Sequence, residues 1–234
     1  DAAEALGVDD RVKLAEAERI MRGRILQRHM LAGVTITDQA TTYIDSAVQL
    51  GPDVTILPNS SLWGTTTVAT GCVIGPGTTL ANAAIGRDTT VRNSVVEDSR
   101  VGERSKVGPF AHLRENAVVG DDCEVHNYAE IKNSVIGNHV KMHHFSFIGD
   151  ADVGDETNIA AGVVTCNYDG TRKNRTTIGR HVFIGSDSML IAPVTLGDDA
   201  FTGAGSVVTK DVRPGGRVAG VPARAIPKPK RRDS

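Results

Sequence analysis

The middle of the sequence carries side chains that could bind an anion and move a proton. Arg114 and Lys132 stand 18 residues apart, and the pair His143-His144 follows them. A guanidinium offers a bidentate fork to a phosphate, whereas an ammonium offers a point charge. An imidazole with an unperturbed pKa of about 6.5 can accept a proton at cellular pH. These residue types favour chemistry on a phosphorylated substrate, with solvated surface cations and a buried, hydrogen-bonded histidine as the alternatives.

A six-residue repeat determines where these side chains can lie. Mostly aliphatic residues recur at every sixth position in two series, which are Val101, Val107, Leu113, Val119, Val125 and Ile131, and then Ile178, Ile184, Leu190, Leu196, Thr202 and Val208. A short strand and a corner, repeated three times, close one coil of about 18 residues that pairs in parallel with the next coil. Arg114 and Lys132 would then project from the same edge of adjacent coils. The pattern predicts an all-β protein built as a parallel β-helix, because a β-sandwich would show period two and variable loops.

One long break interrupts the repeat. Between Thr165 and Ile178 the pattern is replaced by a polar segment that includes Asn167, Tyr168 and Lys173. Loops on a rigid scaffold often carry function. We therefore expect this segment to protrude from the coils and to contribute to a site.

The two ends of the sequence differ from the repeat. Apolar residues recur near helical spacing from about Asp9 to Leu31, an aspartate can cap the start, and Gly33 can end the helix. Pro227 to Ser234 form a basic segment without apolar anchors. We predict a helical arm over residues 1–33, a β-helix over residues 34–226 and a disordered tail over residues 227–234.

Composition argues against several classes of protein. The formal net charge of -2 gives no general attraction to nucleic acid or to membranes. Cys72, Cys123 and Cys166 are odd in number and widely spaced, which argues against a disulfide framework and against a zinc ribbon. No apolar run approaches the roughly 18 residues that a membrane helix needs. We therefore expect a cytoplasmic protein with neither nucleic acid nor membrane as a partner.

Six short segments form an ordered set along the repeat: Val107-Gly-Pro-Phe-Ala-His-Leu-Arg114, Ile148-Gly-Asp-Ala151, Asn158-Ile-Ala-Ala161-Gly, Cys166-Asn-Tyr-Asp-Gly170, Ile184-Gly-Ser-Asp187 and Ala192-Pro-Val194. Together they resemble the acetyltransferase half of the bacterial bifunctional N-acetylglucosamine-1-phosphate uridyltransferases. The resemblance implies a homotrimer of left-handed β-helices. It also implies transfer of an acetyl group from acetyl-CoA to the amine of glucosamine 1-phosphate, in the synthesis of cell-wall precursors.

The resemblance further implies roles for individual residues. His144 matches the catalytic base of the family. The residues that would hold the sugar phosphate are Arg114, Lys132, Asn158 and Lys173. The residues that would line the acetyl-CoA groove are Ala161, Asn167, Tyr168, Ser186 and Ala204. No metal is expected in this domain.

Three departures from the family pattern qualify these expectations. Phe147 stands where the family usually has a sugar-binding tyrosine, so a hydroxyl group is missing from the substrate site. Val221 stands where some members have an arginine that binds CoA, and Arg224 is the candidate substitute. The uridyltransferase domain is missing from this sequence, so that activity is not expected of it.

Two alternatives remain open at this stage. One is a zinc enzyme of the carbonic anhydrase type, in which His126 and His139 would form a three-histidine site together with His143 or His144. The other is a scaffold that has the same fold but no turnover, for which Phe147 and the missing domain would be signs.

Overall fold

The structure is a computed structural model that describes residues 7–227. It consists of one helix, α1 (Arg11–Leu31), followed by a long series of short strands. Residues 228–234 of the predicted tail lie outside the described residues, so the prediction of disorder is not tested. Within the described part of the chain, no helix is long and apolar enough to cross a membrane.

Most strands contain only two or three residues. The first ten are β1 (Thr35–Ile36), β2 (Tyr43–Ile44), β3 (Gln49–Leu50), β4 (Thr55–Ile56), β5 (Ser61–Trp63), β6 (Thr67–Val68), β7 (Val73–Ile74), β8 (Thr79–Ala81), β9 (Ala84–Ile85) and β10 (Thr90–Val91). The next ten are β11 (Val95–Glu97), β12 (Arg100–Val101), β13 (Lys106–Val107), β14 (His112–Arg114), β15 (Val118–Val119), β16 (Glu124–Val125), β17 (Ala129–Lys132), β18 (Val135–Ile136), β19 (Lys141–Met142) and β20 (Ser146–Gly149). The last eleven are β21 (Ala151–Val153), β22 (Asn158–Ile159), β23 (Val164–Cys166), β24 (Thr176–Ile178), β25 (Phe183–Ile184), β26 (Met189–Ile191), β27 (Val194–Leu196), β28 (Phe201–Thr202), β29 (Val207–Val208), β30 (Arg217–Ala219) and β31 (Arg224–Ala225).

These strands form three sheets, in which every strand pairing is parallel except that of β30 with β31. The first sheet contains every third strand from β1 to β28, followed by β30 and β31. The second sheet contains every third strand from β2 to β29, and the third contains every third strand from β3 to β27. Three successive strands therefore make one coil that contributes one strand to each sheet. The predicted parallel β-helix is confirmed.

Inward-facing side chains stack in columns that form the core. Leu113, Ile131 and Ile148 are register partners in three successive strands of the second sheet, and all three are fully buried. Every residue of the two six-residue series is buried as well. Burial of such a side chain contributes about 1.5–3 kcal/mol, and a single coil could not bury it alone.

Two of the corners between sheets are important for the site. We call the turns that lead from the first sheet to the second the histidine corner, because one of them is His143-His144-Phe145. We call the turns that lead from the second sheet to the third the cation corner, because Arg114 and Lys132 lie at its edge. Each corner repeats once per coil, so equivalent residues lie above one another.

Helix α1 precedes the first coil. The side chain of Asp10 caps it by accepting a hydrogen bond of 2.7 Å from the backbone N–H of Lys13. At its other end Gly33 adopts a φ of +92°, which a glycine reaches without strain. Leu26 and His29 are buried where the helix packs against β1 and β2. The helix is confirmed, while the predicted domain boundaries stay predictions.

Candidate active site

Arg114 and Lys132 lie side by side at the cation corner. They end strands β14 and β17, whose register pairs the two residues directly. Lys132 in turn pairs with Gly149, the last residue of β20. Lys132 is only 8% exposed, whereas a lysine on a protein surface is normally solvated. The 18-residue spacing in the sequence thus corresponds to one coil, as predicted.

Two carboxylates accompany these cations. Arg114 donates hydrogen bonds from Nε and Nη2 to Oε1 of Glu130, at 2.9 and 2.6 Å, and from Nη1 to Glu115. Nζ of Lys132 lies 3.2 Å from Oε2 of Glu115. The carboxylates hold both cations at one place, where a phosphate could replace them as the acceptor.

Residues 167–175 form the protruding loop that the sequence predicted, between β23 and β24. Lys173 in this loop forms a backbone bridge with Tyr168, and its amine lies beside the amine of Lys132. The hydrogen bond to Lys132 and the charge of that residue lower the pKa of Lys173. The pKa of Lys132 is raised by the same hydrogen bond and by Glu115. The loop therefore adds a third basic group to the cation corner.

Asp150, which the sequence analysis did not single out, anchors the loop. Its carboxylate is buried and accepts hydrogen bonds of 2.5 Å from Nδ2 of Asn133 and from Nδ2 of Asn167. Its backbone has a φ of +51°, a conformation that aspartate tolerates better than most residues. Asn167 is thereby fixed at the base of the loop, and its side-chain amide is engaged with the protein.

Asp169 organises the tip of the same loop. Its Oδ1 accepts hydrogen bonds of 2.9 Å from the backbone N–H groups of Thr171 and Arg172, and its Oδ2 accepts one of 2.8 Å from Nδ2 of Asn174. These hydrogen bonds, with the backbone N–H of Arg172 contributing most, hold the pKa of Asp169 well below its usual range. The loop is therefore a defined structure in spite of its polar composition.

The ring of Tyr168 remains open to solvent. It is 62% exposed, and its hydroxyl donates a hydrogen bond of 2.7 Å to the carbonyl of Gly170. On the other side of the loop, Nε and Nη2 of Arg175 bind the carboxylate of Asp152, each at 2.5 Å. This ion pair ties the end of the loop to β21 and leaves the face of the Tyr168 ring available to a ligand.

Phe147 belongs to the cation corner as well. Its ring lies over the backbone of Gly149, so close that a Cβ at position 149 would meet the Phe147 Cζ atom at 2.5 Å and Asn167 Nδ2 at 2.9 Å. Gly149 is the residue that permits this approach. On the outer face of the second sheet Phe147 is also the register partner of Glu130. The tip of the ring therefore lies near Gly149 and Asn167, and phenylalanine places no hydroxyl group there.

The histidine corner carries a ladder of small residues above His144. In the first sheet, Met142 pairs with Ile159, Ile159 pairs with Ile184, and Ile184 pairs with Thr202. The residues two positions further on therefore occupy equivalent places in successive coils; they are His144, Ala161, Ser186 and Ala204. Successive strands lie about 4.8 Å apart, so the ladder extends roughly 14 Å along the stack.

A cavity of about 300 Å³ opens at the foot of this ladder. Its lining is His143, His144, Asn158, Ile159, Ala160, Ala161 and Ser186. His144 itself is exposed, which leaves its ring accessible to a substrate. Four of the predicted site residues, which are His144, Asn158, Ala161 and Ser186, are thus brought together here. Such a concave surface next to a basic imidazole can bind a small molecule and accept a proton from it.

The chain separates this cavity from the cation corner. His144 lies just before β20, whereas Gly149, the register partner of Lys132, ends that strand. Four residues of strand span about 13 Å, so the imidazole and the lysine lie at opposite edges of the second sheet. Asn167 and Tyr168 lie at the cation corner near Lys132. Ala161, Ser186 and Ala204 lie at the histidine corner near His144. Apart from Arg224, the predicted site residues therefore form two groups within one chain.

Arg224 belongs to neither group. It lies on β31 at the far end of the stack, where it lines a cavity of about 760 Å³ together with Lys210, Arg213 and Arg217. Its Nη1 donates a hydrogen bond of 3.0 Å to the carbonyl of Ala223. A role for Arg224 in binding CoA stays a prediction.

Within one copy of the chain, the described residues do not bring His139 together with His126 and His143. His139 lies at the corner between the third sheet and the first, where its backbone N–H donates to the carbonyl of Asp121. Among the described residues, the three side chains whose ligand atoms come together are Glu124, His126 and His143 instead. His139 falls at a different corner of the coil from His126 and His143.

Two family models match parts of the chain. Residues 36–127 match the model described as the GMPPB C-terminal domain. Residues 175–210 match the model of the bacterial transferase hexapeptide, with six repeats. Together they cover the coils on both sides of the histidine corner around His144.

Among curated relatives, the chain is similar to proteins described as bifunctional protein GlmU. It is 44% identical to that of Nostoc sp. over 212 residues, which is 91% of this chain and 47% of the relative. It is 49% identical to that of Streptococcus mutans, again over 91% of this chain and 46% of the relative. The chain thus spans about half the length of the curated relatives it matches.

Solved structures share the fold at low identity. A UDP-N-acetylglucosamine acyltransferase matches with a TM-score of 0.58 at 16% identity, over 82% of this chain and 73% of that one. The enzyme of the same description from Francisella novicida matches with a TM-score of 0.53 at 14% identity, over 82% of this chain and 70% of that one. These likenesses concern the β-helix alone, whereas the GlmU relatives match nearly the whole chain at much higher identity. The chain therefore belongs to the GlmU family of hexapeptide-repeat proteins, of which it matches about half the length.

Proposed function

We propose that this chain is a glucosamine-1-phosphate N-acetyltransferase, which transfers an acetyl group from acetyl-CoA to the amine of glucosamine 1-phosphate. The reaction would form N-acetylglucosamine 1-phosphate for the synthesis of UDP-N-acetylglucosamine in the cytoplasm. The observation that carries the proposal is the cavity at the histidine corner, where an exposed imidazole lies at the foot of a ladder of small side chains. A thioester on a narrow arm needs such a groove, and an amine acceptor needs such a base.

The ladder supports the proposed binding of acetyl-CoA. Ala161, Ser186 and Ala204 present short side chains one above another, so a long, narrow arm can lie along the corner without a steric clash. The 62% exposed ring of Tyr168 offers a second, flat surface at the protruding loop. Arg224 and its basic neighbours at the end of the stack would suit the phosphate groups of the same molecule.

His144 would act as the general base. The amine of the sugar must lose a proton as it attacks the carbonyl carbon of the thioester, and the imidazole of His144 would accept that proton. The same imidazole can return the proton to the departing sulfur, so the base is regenerated with the thiol as product. Proton transfer of this kind contributes about 10²–10⁴-fold to the rate.

Arg114, Lys132 and Lys173 would hold the phosphate of the sugar. The guanidinium of Arg114 and the amine of Lys132 already face the carboxylate of Glu115, so their donors are aimed at one place. Asn158 would contact the sugar from the cavity at the histidine corner. Phe147 would pack against the sugar without the hydrogen bond that a tyrosine would donate.

Because the phosphate-binding groups and His144 lie at opposite edges of the second sheet, we extend the proposal to the assembly. A substrate that needs both would bind between two copies of the chain, one supplying the cation corner and the other the histidine corner. A homotrimer closed in this way would contain three equivalent sites. The two groups of residues described above support this arrangement.

The assembly can be tested by mixing inactive variants. Lys132→Met and His144→Ala chains, each nearly inactive alone at low glucosamine 1-phosphate, would be unfolded together, refolded into mixed oligomers and assayed at that low concentration. If sites are shared between copies, some sites receive an intact Lys132 and an intact His144, and activity returns. Activity that stays absent in mixed oligomers of confirmed composition would contradict a shared site, as would a monomeric mass in sedimentation.

The reaction itself can be tested by release of the CoA thiol. The purified chain would be supplied with acetyl-CoA and a panel of amino sugars, with and without a 1-phosphate. We expect thiol release with glucosamine 1-phosphate and a faster rate at low substrate with the Phe147→Tyr variant. If neither the natural chain nor the Phe147→Tyr variant acetylates any amino sugar, the chain is a scaffold without turnover.

A further inference from the structure

Beside the proposed active site, two histidines and a glutamate lie together on the surface of the first sheet. Glu124 begins β16 and His126 directly follows that strand, so the two side chains alternate with Val125 and project to the same side. His143 directly follows β19, the next strand of the first sheet. Because Val125 pairs with Met142, the two histidines lie one above the other, with ring centroids 5.3 Å apart.

The ligand atoms of these three side chains are already close. One nitrogen or oxygen atom from each lies within 4.8 Å of the other two. Nε2 of His143 is 2.6 Å from Oε2 of Glu124. In a tetrahedral zinc site with bonds of about 2.0–2.1 Å, the ligand atoms are roughly 3.3 Å apart. Small side-chain rotations would therefore bring all three atoms to coordination distance.

The hydrogen bond of His126 prepares this side chain to coordinate a metal. Its Nδ1 lies 2.7 Å from the carbonyl oxygen of Gly108. A carbonyl can only accept a hydrogen bond, so Nδ1 carries the proton and Nε2 keeps its lone pair. Metal-binding histidines are characteristically oriented in this way, with the second nitrogen donating to a carbonyl or carboxylate. This orientation is independent of the proximity of the other two residues.

Other histidine–carboxylate pairs in the described chain lack this combination. Nε2 of His112 lies 3.3 Å from Oε2 of Glu97, and Nδ1 of His181 lies 3.3 Å from Oε2 of Glu156. Within residues 7–227, however, three potential ligands meet only at Glu124, His126 and His143. The pair His181 and Glu156 therefore provides an internal control that has the same chemistry with one ligand fewer.

We propose that Glu124, His126 and His143 bind one divalent transition-metal ion of the zinc class. Two imidazoles and one carboxylate favour zinc, cobalt, nickel or copper over magnesium and calcium, which prefer oxygen ligands. Oε2 of Glu124 is the coordinating oxygen, because its Oε1 faces Nζ of Lys106 at 3.6 Å. Three protein ligands leave a coordination position for water.

The site lies one residue from His144 and goes beyond the proposed acetyl transfer. A metal bound to His143 would fix the turn that carries the proposed base, at the edge of the cavity that His143 and His144 both line. Binding of the metal can be measured without any substrate. If no metal binds, the proposed acetyl transfer is therefore not contradicted. If no acetyl transfer is found, the proposed metal site is likewise not contradicted.

The experiment is a titration of the full chain, freed of metal by dialysis against a chelator, with Zn²⁺ by calorimetry and with Co²⁺ by visible absorption. We expect saturation at one ion per chain and a cobalt spectrum typical of tetrahedral coordination. His126→Ala and His143→Ala should each weaken zinc binding by about a hundredfold or more, because loss of an outer partner already costs 10–100-fold. His181→Ala should bind zinc as the natural chain does.

Two further variants identify the ligands. His139→Ala and His144→Ala should retain the metal, which would exclude the three-histidine arrangement and a metal at the proposed base. Circular dichroism of each variant would establish that it is folded. The proposal is overturned if the natural chain binds no stoichiometric zinc, if folded His126→Ala and His143→Ala bind it unchanged, or if His181→Ala loses it equally.

Discussion

Lys132 lies directly beside Arg114 in the next coil, and the two side chains meet on the carboxylate of Glu115. The parallel register fixes their separation, because each ends its strand at the same edge of the second sheet. A rigid pair of cations of different shape is suited to one phosphate group, which can receive a fork from one side and a point charge from the other.

Replacement of Lys132 by methionine should weaken binding of the sugar phosphate. Loss of a hydrogen bond to a charged group costs about 1.5–3 kcal/mol, which corresponds to roughly 10–100-fold in the KM for glucosamine 1-phosphate. The control is Lys210→Met, an exposed lysine at the far end of the stack, which should leave this KM unchanged. Steady-state kinetics would contradict the assignment if Lys132→Met raised only the KM for acetyl-CoA.

Removal of the imidazole of His144 should lower kcat by about 10²–10⁴-fold, the usual contribution of a general base. His143→Ala should lower it far less, because the ring of His143 is engaged with Glu124. Both variants would be compared by single-turnover thiol release at saturating substrate. Small and equal losses in the two variants would remove His144 from the role of base.

Substitution of Asp169 by alanine should loosen the protruding loop. Four donors depend on its carboxylate, so backbone hydrogen exchange in residues 167–175 should accelerate by about tenfold or more. Asp169→Asn keeps an oxygen for the backbone donors and should have a smaller effect. Exchange that is unchanged in Asp169→Ala would show that Arg175 and Asp150 hold the loop by themselves.

The same carboxylate gives the loop a dependence on pH. Hydrogen bonds lower the pKa of Asp169 in the folded state, whereas an aspartate in an unfolded chain titrates at about 3.9. The stabilisation is therefore complete above about pH 4 and is lost as the pH falls below that value towards the folded pKa. Hydrogen exchange of the loop, corrected for the intrinsic rate, should accelerate in that acidic range and not between pH 5 and 8.

In the core, Ile131→Ala should reduce the free energy of unfolding by about 2–5 kcal/mol, because the side chain is fully buried between Leu113 and Ile148. Val135→Ala is the matched control on the next strand. Val135 is 46% exposed, so its loss should change stability by no more than about 0.5 kcal/mol. Urea unfolding followed by circular dichroism would measure both, and equal effects would contradict the columns of inward residues.

The sequence predicted those features of the molecule that depend only on the number of residues in a coil. The inward series and the pairing of Arg114 with Lys132 are both consequences of that length, because each coil returns the chain to the same edge. The length of a coil alone does not place His139, which lies at a different corner from His126 and His143. His126 and His143, one coil apart, were the pair that met.

Partners on the outer surface could not be predicted. Glu115, Glu130 and Asp150 determine how the cation corner is arranged, yet outward positions carry no periodic signal and tolerate many residue types. Nor did the sequence reveal that Asn167 and Ala161, assigned to the same ligand, lie at different corners. The loop over residues 167–175 leaves the coil, and its position depends on the contacts of Asp150, Asp169 and Arg175.

At the far end of the stack, β31 pairs antiparallel with β30, whereas every other pairing in the first sheet is parallel. At the near end, α1 packs against β1 and β2. A stack of identical coils would otherwise present a row of unpaired backbone groups at each end, and such rows recruit further strands. The reversed hairpin lies over the edge of the first sheet and the helix packs against the first two strands, so we expect both to limit edge-to-edge pairing between copies of this repetitive chain.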